Sequence, residues 1–290
     1  LSIIFVEQMT NNKFYTFQGS NLENLDGVPH RKVCEKFVKF GFILFRDFEI
    51  SDNDLIEFTD KFTNRYAKDT NRREARLGNE NIKNVDSGND EIKLHSEASF
   101  APSWPEILWF FCKIPCNGGG NTTFCNSLDL WKSLDKSTKS FFLGNPIKYK
   151  LSLPIDIAKK NKKKKNWFLE EIGAFDVKLN WETASLEMNL LRFGVTQCRF
   201  TNNLSFSNHL LVDLATEPQI LSRTLMNDKE IPLEITEEVN EKSSDLAFKS
   251  NWQKGDFVML DNKRFLHGRE SFELGSKRDI VLVQTLEARL

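Results

Sequence analysis

Two apolar runs near the C-terminus, Phe257 to Leu260 and Ile280 to Leu286, constrain the fold more than any other feature of the chain. Each is short, continuous and bounded by turn-forming residues, so each reads as a buried strand. Between them lie the polar turn Asp261-Asn262-Lys263-Arg264 and then Phe265-Leu266-His267-Gly268-Arg269. A Gly275-Ser276 turn follows, and Arg278 stands at the entrance of the second run. Two adjacent antiparallel strands would carry the imidazole of His267 and the guanidinium of Arg278 into one cavity. A neutral metal ligand beside a fixed cation that grips a carboxylate is the chemistry such a pair serves.

A second histidine and a carboxylate occur upstream, in Leu94-His95-Ser96-Glu97. In an extended strand residues i and i+2 share a face, so His95 and Glu97 can reach one metal. His267 would complete a 2-His-1-carboxylate facial triad, which leaves Fe(II) three open positions for a bidentate cosubstrate and O₂. His-x-acid alone is weak evidence in a chain with 41 acidic residues and four histidines, and a histidine bonded to backbone is its ordinary alternative. The order of the surrounding motifs separates the two.

That order resembles the taurine dioxygenase family of Fe(II)/2-oxoglutarate oxygenases. The matching pieces are Phe40-Gly41-Phe42-Ile43-Leu44-Phe45-Arg46, His95-x-Glu97 and the apolar Pro105 to Phe110. After them come Gly118-Gly119-Gly120-Asn121-Thr122, similar to the family's Gly-Gly-x-Thr, and the block from Trp252 to Arg278. The last block is most similar to that of γ-butyrobetaine hydroxylase and related amino-acid hydroxylases. The resemblance implies a mainly β double-stranded β-helix (jelly roll) with peripheral α-helices. It implies His95, Glu97 and His267 as iron ligands, with Thr122 and Arg278 on the distal carboxylate of 2-oxoglutarate. For Arg269 two readings stand, a contact to the cosubstrate or substrate near the metal, or an ion pair with Asp261 or Glu270. Glu97 stands where most members have Asp, as in the clavaminate synthase and arginine hydroxylase branch. It also fills the place that related halogenases leave open for chloride. Leu282 stands where a sulfonate-binding Arg would be. The implied reaction couples oxidative decarboxylation of 2-oxoglutarate, with O₂, to oxidation of a C–H bond. Its substrate would be a small polar molecule, first a free or tethered amino acid, with desaturation or ring formation as alternatives.

Length and composition fit one domain over residues 1–290, with a possible lid insertion at about 155–185. A net charge of −1 gives no footprint for nucleic acid, and no segment approaches the ~20 apolar residues of a membrane span. Five cysteines, an odd number without a paired framework, suggest a reducing, cytoplasmic compartment. Cys112 and Cys116 lack the second half of a zinc site and read as buried thiols. A metal-binding jelly roll without oxygenase activity, and a nucleic-acid binder built on Lys159 to Lys165, are the competing classes; oligomeric state stays open. Helices are expected from Pro29 to Gly41, from Ser51 through Phe62 and from Ser127 to Phe142, and a polar loop from Asn71 to Asp90. The lysine run reads as a solvated loop, with Trp167 and Phe168 beside it able to fold over a substrate pocket. His30 and His209 stand outside both motif contexts and read as ordinary, satisfied histidines.

Overall fold

A computed structural model describes residues 13–20, 24–67, 73–76, 78–101, 103–154 and 173–290. Its frame is two sheets face to face. The larger has the order β1(Tyr15–Gln18), β2(Phe42–Arg46), β15(Phe257–Asp261), β6(Ile107–Ile114), β17(Asp279–Thr285), β4(Asn79–Asn84), β3(Ala75–Arg76). The smaller runs β14(Phe248–Lys249), β7(Thr122–Asn126), β16(Phe265–Arg269), β5(Ile92–His95). All pairs are antiparallel except β1 with β2. Another sheet, β13(Ile220–Leu225), β8(Ile147–Pro154), β10(Ser185–Arg192), β9(Phe175–Asn180), and the pair β11(Thr196–Gln197) and β12(Leu204–Ser205) complete the strands among the described residues. This is the mainly β jelly roll with peripheral helices.

The apolar runs are continuous because the larger sheet is buried on both faces. Leu108, Phe110, Val258, Leu260, Ile280 and Leu282 point between the two sheets, where they meet Phe124 and Phe265. Their alternates Trp109, Phe111, Phe257, Met259, Val281 and Val283 pack outward against α1(His30–Phe40) and α2(Asp52–Asp60) through Val33, Phe37, Leu55 and Phe58. The period of two thus sorts one strand into two cores. The smaller sheet turns Leu94, Cys125 and Leu266 outward, onto α3(Ser127–Ser133), α5(Leu233–Leu246) and the β8–β10 layer.

Helix α1 ends on Gly41 at φ 71°, and α2 opens on a Ser51–Asp54 capping box, both as the sequence indicates. Three expectations are corrected. The Asn71 to Asp90 stretch is not all loop: β3 and β4 pair at the edge of the larger sheet, Val281 with Asn84 and Val283 with Ile82. β4, next to the short edge strand β3, tolerates polar residues because Ile82 alone in it is fully buried. The helix expected from Ser127 to Phe142 breaks at Leu134, whose ψ of 149° is extended, and restarts after Asp135 as α4(Lys136–Gly144). Finally, β16 and β17 are not neighbours in one sheet. After Arg269 the chain crosses from the smaller sheet to the larger, so His267 and Arg278 converge from facing sheets. The expected lid, Lys159 to Lys165 with Trp167 and Phe168, lies outside the described residues.

In the smaller sheet β16 has no room for a side chain at Gly268. A Cβ there would lie 2.5 Å from the Ile92 carbonyl oxygen and 2.9 Å from Thr123 Oγ1. Gly268→Ala must therefore part β16 from β5 and β7. It is expected to cost about 1–3 kcal/mol of stability, the usual range for overpacking, measured by urea unfolding. Wild-type stability in the variant would show that the strands have slack.

Candidate active site

The register of the smaller sheet places the side chains that the sequence singles out. His267 is paired directly with His95 on β5 and with Phe124 on β7. One pleat further along, Arg269 is paired with Thr122. Side chains two apart share a face, so His95, His267, Thr122 and Arg269 all face the larger sheet. Thr123, the alternate, faces away beside Gly268 and Lys249. From the opposite side Arg278 donates from Nε to the Gly120 carbonyl at 2.7 Å and from Nη2 to Thr122 Oγ1 at 3.4 Å. Trp252 Nε1 also donates to Thr122 Oγ1, at 3.0 Å. Gly120 needs its bare Cα: it has φ +65°, and a Cβ would lie 3.3 Å from Arg278 Cδ.

Glu97 reaches the histidines by a route the strand argument does not give. β5 ends at His95, and Glu97 lies in the following turn, where Ala98 has φ 52°. Its Oε2 is 3.8 Å from His95 Nε2 and 3.7 Å from His267 Nε2. One donor atom from each residue falls within 4.8 Å of the other two, and all three residues are buried. His95 Nδ1 lies 2.8 Å from the Lys93 carbonyl, which fixes that nitrogen as the N–H and leaves Nε2 as the inward lone pair. His267 Nδ1 is buried without a hydrogen-bond partner. Two imidazole nitrogens and one carboxylate converging at a buried point fit a hard-to-borderline divalent cation such as Fe(II).

Burial pushes His267 down to about 4, helped by the charge of His95, so it is neutral at neutral pH and ready to ligate. Burial would raise the Glu97 carboxyl, but Arg73 and the two imidazoles overcome it and hold it well below the ordinary range. Burial and the neighbouring Arg269 lower Arg278 to about 10, so this end of the chamber favours an incoming anion. Arg269 itself makes neither ion pair expected as its alternative. It donates instead to the carbonyls of Asp86 at 2.6 Å and Asp90 at 2.9 Å, while Glu270 pairs with Lys249 and Asn121.

Several residues here carry no sequence signal of their own. Arg73 donates to both Glu97 oxygens, at 3.0 and 3.3 Å, and to both Asp86 oxygens, at 3.0 and 2.9 Å. Both line the chamber with Val85, Ile92, Phe110 and Leu282. His209 is satisfied, as expected, through Glu217 at 3.2 Å, yet it is not remote: its ring packs edge-on to His95 at 4.8 Å. His30, by contrast, sits on Phe62 and Lys61 at α1.

Asp261, at the mouth of the turn before β16, is fully buried, and burial pushes its carboxyl up to about 6. The folded chain therefore binds this proton more tightly than the unfolded chain, whose value is about 3.9, and stability falls as pH rises from about 4 to about 6. Asn keeps the acceptor for the Lys263 amide, at 2.9 Å. Asp261→Asn should gain about 2–3 kcal/mol at pH 7 and flatten that window, read from urea unfolding across pH. No gain at neutral pH would mean that the charge is solvated.

Comparison with known proteins identifies the family and matches the fold. A profile of the family described as "Taurine catabolism dioxygenase TauD, TfdA family" matches residues 6–285. The 3-((Z)-2-isocyanoethenyl)-1H-indole synthase of Fischerella ambigua is 24% identical over 204 residues, 68% of this chain and 64% of that protein, so the chain spans less than two thirds of this curated relative. The crystal structure of AAD-2 with Mn(II) and N-oxalylglycine superposes with a TM-score of 0.60 at 18% identity, covering 98% of this chain and 97% of that one. PvcB from Pseudomonas aeruginosa gives 0.63 at 13% identity over 94% and 86%. Another PvcB structure is described as an Fe, alpha-ketoglutarate dependent oxygenase from an isonitrile synthetic pathway. With a family profile spanning nearly the whole chain, the protein belongs to the taurine catabolism dioxygenase TauD/TfdA family.

Proposed function

We propose that His95, Glu97 and His267 hold the iron, that Arg278 and Thr122 hold the distal carboxylate of 2-oxoglutarate, and that the enzyme oxidises a C–H bond of a small polar substrate. The observation that carries this is the paired register: the two histidines face each other on one row, and Thr122 lies one row away under Arg278. A dianionic cosubstrate needs a cation at each end, and this reading puts the metal at one end and the Arg278 guanidinium at the other. When bound, Fe(II) and 2-oxoglutarate supply O₂ activation with release of succinate and CO₂. The chain's own part is to fix both ends of the cosubstrate, keep His267 neutral and line the chamber with the apolar Phe110 and Leu282.

Arg73 and Asp86 line the chamber beside Glu97, and we assign them to the substrate's polar head. This suits an amino acid or a derivative that retains the carboxylate. Hydroxylation is the first reading. Desaturation is the second, supported by the ethenyl group in the name of the Fischerella relative's product. A mass-spectrometric screen of free amino acids, N-acyl amino acids and isocyano carboxylic acids, with Fe(II), 2-oxoglutarate and O₂, separates them. Gain of one oxygen supports the first, loss of two hydrogens the second. Succinate formation that no member of these classes stimulates would remove the substrate assignment.

A further inference from the structure

Glu97 lies beyond the end of β5, where the paired ladder with β16 stops at His95. Its backbone nevertheless has both hydrogen bonds, and a side chain makes them. Asn262 Oδ1 accepts from the Glu97 amide at 2.9 Å, and Asn262 Nδ2 donates to the Glu97 carbonyl at 3.0 Å. The carboxamide thus pairs with residue 97 as a neighbouring peptide would. The second Nδ2 hydrogen goes to the Pro105 carbonyl at 2.9 Å, and Ser96 Oγ donates to the Asn262 carbonyl at 2.6 Å. Trp104 Nε1 donates in turn to Ser96 Oγ at 2.9 Å. Asn262 is 0% exposed. It also belongs to the short turn that leads into β16 and His267.

We propose that Asn262 is a positioning residue that sets the Glu97 donor against His267 by replacing the missing ladder with its own carboxamide. The proposal rests on the reading of Glu97 as a ligand. No other side chain of this size does the same: Asp accepts from the Glu97 amide but cannot donate to two carbonyls, and Ala does neither. Outer-shell partners of ligands are typically worth 10- to 100-fold in metal affinity.

The test is anaerobic titration of the full chain with Mn(II), following free Mn(II) by electron paramagnetic resonance. Asn262→Asp and Asn262→Ala are expected to raise the Mn(II) dissociation constant about 10- to 100-fold and to change the spectrum of the bound ion. Thr285→Val serves as a stability control. It removes an equally buried hydrogen bond, from Trp109 Nε1 at 2.9 Å, on the face of the larger sheet turned away from the chamber. It should lower Tm without moving Mn(II) affinity. A shift in the Asn262 variants no larger than in Thr285→Val overturns the proposal. If neither Asn262 variant folds, Ser96→Ala decides: severalfold weaker Mn(II) binding supports the proposal, and unchanged binding overturns it. Glu97→Ala separates the underlying reading, because wild-type Mn(II) affinity in that variant would remove Glu97 as a ligand whatever Asn262 does.

Discussion

His267→Ala should yield a folded chain that binds no measurable Fe(II) and turns over nothing, and His95→Ala should do the same. The two rings are cross-strand partners with centroids 4.4 Å apart, and each offers Nε2 toward the same Glu97 oxygen. Removing either leaves a single imidazole and a carboxylate, too few donors for the facial triad. The fold should survive in His267→Ala, because its Nδ1 has no partner to strand and its Nε2 pairs only at the metal-site distance of 3.7 Å. His30→Ala should bind iron as wild type does, since His30 caps nothing in the site. His209→Ala should fall between, because it removes the ring packed edge-on against His95. Anaerobic Fe(II) titration with far-ultraviolet circular dichroism on the same samples measures both properties. Iron bound normally in His267→Ala would overturn the ligand assignment.

Arg278→Ala should raise the 2-oxoglutarate requirement by on the order of 10- to 100-fold while Fe(II) affinity stays near wild type. A charge-assisted hydrogen bond is worth about 1.5–3 kcal/mol, and each 1.4 kcal/mol is tenfold. Arg269 cannot readily substitute, since the carbonyls of Asp86 and Asp90 hold its guanidinium. Titrating 2-oxoglutarate anaerobically into the Fe(II) protein, and following the visible charge-transfer absorption, reads this directly. An unchanged curve would mean that another cation holds the distal carboxylate.

His95, Glu97, Thr122, His267 and Arg278 could be singled out because each sits in a motif that resembles the family's, and the structure brings all five to one chamber. What escaped was set by tertiary pairing. Nothing local says that the chain changes sheets between Arg269 and Asp279, so His267 and Arg278 read as neighbours on adjacent strands rather than as facing groups. Shallow burial hid β4, whose polar residues look like a loop until Val281 and Val283 pair with it. The Asp135 cap lay inside an otherwise helical pattern, so one helix was read where two stand. Arg73 comes from a polar stretch with no periodicity, and its meaning arises only when Glu97 and Asp86 are brought to it. Asn262 was visible in the C-terminal block, but its hold on Glu97 spans 165 residues of sequence.

The most direct measurement is succinate formation by the intact chain, with Fe(II), 2-oxoglutarate and O₂ each omitted in turn. The expected result is succinate only when all three are present, and none in His267→Ala under the same conditions. Succinate formed without iron, or at the wild-type rate in His267→Ala, would contradict a metal centre built from His95, Glu97 and His267.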